Sequence, residues 1–382
     1  MITLIQNADI YAPQKQEARE MLLMNDKIIQ IGNINTTALL KSGMDINVID
    51  AKNHIVTPGF IDPHMHFIGG GGENGYASRT PEVMLSTLVE AGITTAVGLL
   101  GTDGTTRHME SLLAKARGLE DEGITTYIYS GNYDVETPTL FKNVKDDIIL
   151  IDKVIGAGEI AIADSRSSAP TFDELARLVS HARVGGMLSN KCGVTHFHVG
   201  PGKEYLSLLH KLIDDTEIPA QNIYATHITR SIALLDDAIR LAHKGAYVDM
   251  TCEHSTVDYL KYYVEHGGNL SHLTLSSDGN GSLPKFNKDG QLVGFGVAKP
   301  LTLLQTFRYS VMADVLSLED ALRLVTSNTR DVLKLQGKGQ LKVGFDADVL
   351  MFERKNLTLS HVFAKGKQLM YNQQIIVKGT FE

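Results

Sequence analysis

The chain has 382 residues, of which 43% are hydrophobic and 21% charged, as in an ordinary globular protein. Its formal net charge of −8 provides none of the basic surface that nucleic-acid binding requires. With only Cys192 and Cys252, a disulfide framework is not expected. The N-terminus lacks a signal-peptide pattern, and no apolar run reaches the ~20 residues of a membrane helix. We therefore expect a cytoplasmic protein that contacts neither nucleic acid nor membrane.

Short strands are predicted at both ends of the chain. Residues 1–56 contain apolar runs separated by turn residues, and Asn25-Asp26 lies between two of these runs, as in a hairpin. Residues 341–382 repeat this pattern, for example in DADVLMFE. Neither end has enough strands to bury a face by itself. The two ends are therefore predicted to pair into one small β-sandwich domain.

Residues 57–340 alternate apolar, strand-like runs with helical patterns, which predicts a parallel sheet covered by helices. Eight runs match the α/β fold called the (β/α)8 TIM barrel. Thr80 and Thr171 are predicted N-caps of two of the helices. The eight runs are IVTPGFIDPHMH, ITTAVGLL, TTYIYSG, EIAIAD, VTHFHVG, NIYATH, AYVDM and LTLSSD.

Side chains that can bind metals stand at the ends of several of these runs, where TIM barrels place their catalytic groups. His64 and His66 end the first run, and alternate residues of a strand point to the same side, so both imidazoles can reach one ion. Such donors suit one or two divalent ions: zinc, but also cobalt, manganese or iron. The candidates on the fourth, fifth, sixth and eighth runs are Glu159, His198, His227 and Asp278.

Simpler interpretations stay open for single residues. A histidine at a strand end is more often a cap or a core residue, and His196 forms a second His-X-His pair of which only His198 is predicted to be a ligand. Glu159 begins its run and could be a solvated residue, with one ion bound elsewhere. The glycines at 69–72 do not predict a phosphate loop, because no Lys-Ser/Thr follows and Glu73 would repel phosphate.

The order of the candidate ligands resembles that of the amidohydrolase superfamily, as do the β-rich chain ends and the phrase GFDADVLMFE. Within this superfamily the chain resembles the bacterial isoaspartyl (β-aspartyl) dipeptidases more closely still. Familiar members carry a carboxylated lysine on the fourth strand, between two zinc ions. Here Glu159 takes that place with a shorter side chain, as glutamate does in some amidohydrolases. The similar phrases are PGFIDPHMHFIGGGGENG, LLGTDG, SGNY, DSRSSAP, FHVG, THITR, LSSDGNGS and KGTFE.

This resemblance implies a metal-dependent dipeptidase that hydrolyses the isopeptide bond of β-aspartyl dipeptides by attack of a metal-bound hydroxide. Asp278 would move the proton to the leaving amine, and Tyr133 would donate a hydrogen bond to the oxyanion. A centre of two zinc ions and a homo-oligomeric assembly are also implied.

The substrate carries one ammonium and two carboxylates, so its pocket needs an anion and at least two cationic or hydrogen-bonding groups. The resemblance assigns the ammonium to Glu73 and the C-terminal carboxylate to Arg166 and Arg230, since arginine grips carboxylates with two parallel bonds. Thr102 and Ser282 would complete the aspartyl side, next to Tyr133.

Two other functions remain open. Another amidohydrolase, such as a cyclic-amide hydrolase or an N-acyl-amino-acid deacylase, would not need both Arg166 and Arg230. A non-catalytic scaffold built on the same barrel would be expected to have lost metal ligands, whereas all six positions here hold competent donors.

Overall fold

The computed structural model of this protein describes residues 1–286 and 292–382. The N-terminal segment forms short strands, and the predicted hairpin is confirmed, with Asn25 at φ +53°. Its elements are β1 (Ile2–Gln6), β2 (Asp9–Ile10), β3 (Met21–Met24), β4 (Lys27–Ile31), α1 (Thr36–Leu40), β5 (Ile46–Asp50) and β6 (His54–Pro58).

Eight parallel strands form the central sheet and follow one another in chain order around a nearly closed barrel. The last strand meets the first at a bridge between Met65 and Gly279, where His66 N donates to the Gly279 carbonyl at 2.8 Å. The predicted TIM barrel is thus confirmed. Its strands are β7 (Phe60–Met65), β8 (Ile93–Gly98), β9 (Thr125–Ser130), β10 (Val154–Ile162), β11 (Val194–Val199), β12 (Ile223–Thr226), β13 (Tyr247–Thr251) and β14 (Leu273–Ser276).

Helices follow these strands and cover the barrel. Thr171 caps its helix as predicted, because its side chain accepts from Glu174 N while the Glu174 carboxylate accepts from Thr171 N. The helices along the barrel strands are α2 (Leu85–Glu90), α3 (Met109–Glu122), α4 (Val144–Leu150), α5 (Phe172–Ser189), α6 (Ser207–Asp215), α7 (Ile232–His243) and α8 (Thr256–Glu265).

The prediction that Thr80 caps a helix was wrong, since α2 begins only at Leu85. The Thr80 hydroxyl instead accepts from Gly70 N at 2.7 Å and also contacts the Asn280 carbonyl. It connects the loop after β7 to the loop after β14. The Thr80 side chain therefore forms tertiary contacts instead of capping a helix.

After β14 come a hairpin and three helices that the sequence patterns did not predict: β15 (Ser282–Phe286), β16 (Leu292–Val297), α9 (Leu301–Met312), α10 (Leu318–Val325) and α11 (Ser327–Leu333). Within the residues described, no helix has the length and apolar character needed to cross a membrane. The chain then ends in β17 (Val349–Glu353), β18 (Leu359–Ala364), β19 (Lys367–Tyr371) and β20 (Gln374–Ile375).

The two chain ends meet in one sheet, with the order β2-β6-β17-β18-β19-β20, beside a second sheet, β4-β3-β1-β5. Alternate residues of β17 face opposite cores: Val349 and Met351 pack with the N-terminal strands, while Leu350 and Phe352 pack with the barrel core. Burying a side chain such as Phe352 contributes about 1.5–3 kcal/mol. We propose that 1–56 and 341–382 form a small β-sandwich domain and 57–340 the barrel domain.

Candidate metal centre and substrate cleft

The two histidines at the end of β7 converge with Asp278, which follows β14. His64 Nε2 lies 3.3 Å and His66 Nε2 3.0 Å from Asp278 Oδ1. His64 Nε2 also lies 3.6 Å from Glu159 Oε2. The first and eighth strands are neighbours only because the barrel closes, so this convergence depends on the closure.

Glu159 stands on a β-bulge in β10. Between positions 157 and 160 this strand advances three residues while its partner β11 advances two, from 195 to 197. A Cβ atom at Gly158 would lie 2.8 Å from the His196 carbonyl oxygen, so glycine is needed where the two strands approach here. The bulge leaves the Glu159 side chain completely buried in the barrel, which excludes a solvated residue.

The Glu159 carboxylate lies between two groups of histidines. Its Oε1 is 2.8 Å from His198 Nδ1 and 3.1 Å from His227 Nε2, while Oε2 faces His64. All six predicted ligands therefore meet in one cluster at the carboxyl ends of the barrel strands. A side chain shorter than a carboxylated lysine still reaches both groups because the backbone bulges.

The donors in this cluster fit divalent cations. Their ligand atoms form triads within 4.8 Å: His64, His227 and Asp278; His64, His66 and Glu159; and Glu159, His198 and His227. His64 Nε2 lies close to both Glu159 Oε2 and Asp278 Oδ1, but the geometry forms no hydrogen bond, and these three buried atoms have no hydrogen-bond partner among the described residues. An unpaired buried polar atom costs about 1–3 kcal/mol, which coordination to a cation would offset.

The electrostatics also call for positive charge at this place. Burial would raise the pKa of Glu159, but His64 and His198 outweigh it and hold that pKa well below its ordinary value. Burial would lower the pKa of His64, but Glu159 and Asp278 raise it to about 9. Burial lowers the pKa of His227 to about 3 and keeps its imidazole neutral, the form that binds metals.

A cleft of about 300 Å³ opens directly above the cluster. This volume suits a small molecule. The cleft is lined by four of the candidate ligands, His66, His198, His227 and Asp278, and by every residue predicted to touch substrate, namely Glu73, Thr102, Tyr133, Arg166, Arg230 and Ser282.

Charged groups of both signs alternate along this cleft. Arg166 Nη1 donates to Glu73 Oε1 at 3.2 Å, and Ser282 Oγ donates to Glu73 Oε2 at 3.3 Å. Arg230 Nη2 approaches His198 Nε2 at 3.4 Å. The two arginines and Glu73 thus line the same cleft as four of the candidate ligands.

Two uncharged groups face the same space. The Tyr133 hydroxyl lies 2.7 Å from His198 Nδ1, and burial raises the pKa of this phenol well above its ordinary value. Thr102 Oγ1 is buried and has no hydrogen-bond partner among the residues described. The phenol therefore keeps its proton, and both side chains line the space in which a molecule would bind.

Asp164, two residues after β10, is a part of the site that sequence reasoning missed. Its carboxylate accepts from Arg166 Nε at 2.9 Å and Nη2 at 2.8 Å, and Oδ2 lies 3.0 Å from His198 Nε2. The only available signal was its position: it directly precedes Ser165 and Arg166 in the DSRSSAP phrase. Nothing in that phrase shows a contact with a histidine one strand away.

Comparison with known proteins agrees with this geometry. The Amidohydrolase family matches residues 55–370. A beta-aspartyl dipeptidase from thermophilic, keratin-degrading Fervidobacterium islandicum AW-1, solved in complex with beta-Asp-Leu dipeptide, is 40% identical, with a TM-score of 0.91 over 98% of each chain. The imidazolonepropionase of Alkaliphilus metalliredigens is 25% identical over 88% of this chain and 84% of its own. Dihydropyrimidinase from Brevibacillus agri shares the fold, with 16% identity and a TM-score of 0.68 over 99% of this chain and 97% of its own. The match over most of the length, together with the cluster of histidines and carboxylates, shows that this chain belongs to the amidohydrolase family.

Proposed function

We propose that this protein is a metal-dependent dipeptidase that hydrolyses the isopeptide bond of β-aspartyl dipeptides. The observation that carries the proposal is the cleft itself, in which one carboxylate and two guanidinium groups stand beside the cluster of metal donors. The 40% identical neighbour that holds beta-Asp-Leu supports the same substrate class.

The charges of the cleft match those of the substrate. Glu73 and Arg166 pair with each other here. A molecule with an ammonium and a carboxylate can insert between them and leave neither charge unpaired, which would otherwise be costly in a partly buried site. In our proposal Glu73 holds the ammonium, Arg166 and Arg230 hold the C-terminal carboxylate, and Thr102 and Ser282 bind the aspartyl part.

The cluster would hold two divalent ions, which we propose to be zinc, on His64, His66, Glu159, His198, His227 and Asp278. Bound ions of this kind supply Lewis acidity, which makes water nucleophilic at neutral pH and polarises the scissile carbonyl.

Two side chains complete the chemistry. Asp278 lines the cleft, and in our proposal its carboxylate accepts a proton from the attacking water and passes it to the leaving amine. The Tyr133 phenol faces the same space and would donate a hydrogen bond to the oxyanion as it forms.

A cyclic-amide hydrolase is the second candidate, because curated relatives include imidazolonepropionases and a dihydroorotase from Lactococcus lactis that is 24% identical over 56% of this chain. Dihydroorotate carries one carboxylate and no ammonium, so one arginine would suffice to hold it and Glu73 would meet no cation. In such an enzyme Arg230 would have no group of the substrate to bind.

A substrate panel with metal quantitation tests the proposal. Purified protein should release aspartate from β-Asp-Leu faster than it cleaves α-Asp or γ-Glu dipeptides or opens dihydroorotate. It should contain bound metal, lose activity with a chelator, and recover with metal alone, without bicarbonate. Preference for the cyclic amide would favour the second candidate, and absence of metal and of all hydrolysis would favour a scaffold. A homo-oligomeric state and a cytoplasmic location stay predictions.

A further inference from the structure

Asp164 joins a proposed metal ligand to a proposed substrate-binding residue. Its side chain is 3% exposed, and Oδ2 lies 3.0 Å from His198 Nε2 and 2.8 Å from Arg166 Nη2. Its Oδ1 accepts from Arg166 N and Nε, both at 2.9 Å. We propose that Asp164 is a positioning residue that orients His198 toward the metal and Arg166 toward the substrate, so that metal retention and substrate binding share one carboxylate. This inference rests on the proposed metal centre.

The contact with His198 determines which ring nitrogen can bind a cation. Nδ1 lies 2.8 Å from Glu159 Oε1 and 2.7 Å from the Tyr133 hydroxyl, on the side of the cluster, while Nε2 faces Asp164. A neutral imidazole that binds metal through Nδ1 carries its proton on Nε2, and a carboxylate is the acceptor that favours this tautomer. Asp164 thereby fixes both the plane of the ring and the direction of its lone pair.

Arg166 Nη2 also lies 3.0 Å from His198 Nε2 and could donate to it in the other tautomer. Its contact with Asp164 Oδ2 is shorter, at 2.8 Å, and joins opposite charges. With the guanidinium proton directed to Asp164, the same carboxylate can accept from both neighbours. The two tautomers give opposite experimental results, described below.

The contact with Arg166 determines where the substrate carboxylate can bind. Asp164 grips Nε and Nη2, which leaves Nη1 directed at Glu73 and the cleft. A guanidinium held on one edge loses less freedom when its other edge binds a ligand. Without Asp164 we expect Arg166 to sample other rotamers and substrate to bind more weakly.

The test uses the zinc-loaded protein and Asp164→Asn, which keeps the shape and removes the charge. Competition with a chelator of known affinity should show Zn²⁺ binding weakened by ~10- to 100-fold, as for other carboxylates that accept from a metal-bound histidine. KM for β-Asp-Leu should rise more than kcat falls. Unchanged Zn²⁺ affinity would overturn the proposal. Because this readout needs no substrate, it stays informative even if β-aspartyl dipeptides are the wrong substrate.

The matched control is Asp103→Asn. Asp103 also pairs with an arginine at the barrel mouth, Arg79, at 2.8 Å. Among the described residues, Asp103 forms no hydrogen bond to a histidine of the cluster. The Zn²⁺ affinity of the Asp103→Asn variant should match that of the unchanged protein. If this variant lost as much Zn²⁺ affinity as Asp164→Asn, removing any negative charge at the barrel mouth would explain the effect, and the proposal would be overturned.

A double variant separates the two contacts of Asp164. In an Arg166→Met background, Asp164→Asn should still weaken Zn²⁺ binding, because the bond to His198 remains to be lost. If the effect vanishes there, Asp164 acts only through Arg166 and the proposed contact is wrong.

If Asp164→Asn does not fold, nitrogen NMR of the unchanged zinc-loaded protein, labelled with ¹⁵N-histidine, can show which ring nitrogen of His198 carries the proton. The His198 signal, assigned with His198→Gln, should show the proton on Nε2. A bare Nε2 would mean that it accepts from Arg166 instead and would overturn the proposal.

Discussion

The N-terminal segment and the mouth of the barrel both contain residues with positive φ, but the residue types differ. In residues 1–56 every such non-glycine residue is an asparagine, at positions 7, 25, 33 and 53. The first such residues after barrel strands β10, β12 and β14 are Ala163, His227 and Asp278, at φ of +51°, +63° and +51°. Asparagine and aspartate enter the left-handed region at little cost, and histidine is found there more often than most residues, whereas alanine pays roughly 1–2 kcal/mol.

The difference shows what shapes each region. In the N-terminal segment, turn geometry selects the residue that fits it best. At the barrel mouth, His227 and Asp278 adopt this uncommon backbone conformation while their side chains belong to the cluster of metal donors, as is common where sites are built. The mouth should therefore tolerate shape-preserving changes structurally while losing function, and the N-terminal segment should respond in stability alone.

The largest expected effect is that of Asp278→Asn. Asparagine has the same shape and suits φ +51°, so folding should be unaffected, but it cannot take up a proton. We expect kcat for β-Asp-Leu to fall by ~10²- to 10⁴-fold, as when a general acid–base residue is removed. Steady-state kinetics at matched zinc content checks this. A kcat near that of the unchanged protein would remove Asp278 from the proposed proton transfer.

Lys338→Met tests the junction between barrel and chain ends. The buried Lys338 ammonium contacts Asp346 at 2.8 Å, Asp348 at 2.7 Å and Thr125 of β9 at 2.7 Å. Methionine would leave the buried Asp348 without its cation and Asp346 with Lys27 alone, so the free energy of unfolding should fall by about 3–5 kcal/mol in urea denaturation.

The control for this change is Lys244→Met, because Lys244 forms an ion pair with Asp214 at the surface. There the loss should be about 0–1 kcal/mol. Equal losses for the two lysines would contradict a structural role for the buried pair.

Arg230→Ala probes substrate specificity. Losing one charged hydrogen-bond donor to a carboxylate costs about 1.5–3 kcal/mol, so KM for β-Asp-Leu should rise by ~10- to 100-fold. The matched control is Arg117→Ala, since Arg117 pairs with Asp152 at the surface and should not affect KM. Dipeptide turnover that survives Arg230→Ala would favour the cyclic-amide hydrolase.

The smallest effect is expected in the N-terminal segment. Asn53 lies between β5 and β6 at φ +65° and is exposed. Asn53→Ala should lower the free energy of unfolding by roughly 1 kcal/mol, whereas Asn53→Gly should not lower it by as much, since glycine adopts positive φ freely. Thermal unfolding of both variants measures the difference, and kcat should stay unchanged in each. Equal stability of the two variants would refute the backbone explanation.

The sequence predicted the barrel strands well because they are buried on both faces and read as continuous apolar runs. The His64 and His66 positions followed from strand periodicity and from the position of strand ends in barrels. The Thr171 cap was predictable because its partner, Glu174, lies three residues away. These are local signals that one stretch of chain carries by itself.

What sequence reasoning missed depends on contacts between distant segments. The bulge at 157–160 results from register with β11, and Thr80 makes bonds to the loop after β14 instead of capping a helix. The role proposed for Asp164 depends on its contact with His198, which lies on the next strand. The hairpin β15–β16 and helices α9–α11 interrupt the strand–helix alternation. Because that alternation was the pattern that predicted the barrel, these elements were not predicted.

Crystals of the zinc-loaded protein, measured on both sides of the zinc absorption edge, test the central claim most directly. We predict anomalous peaks within coordination distance of His64 Nε2, His198 Nδ1 and His227 Nε2, with Glu159 between two ions. Zinc bound elsewhere, or a cluster without any peak, would contradict the account.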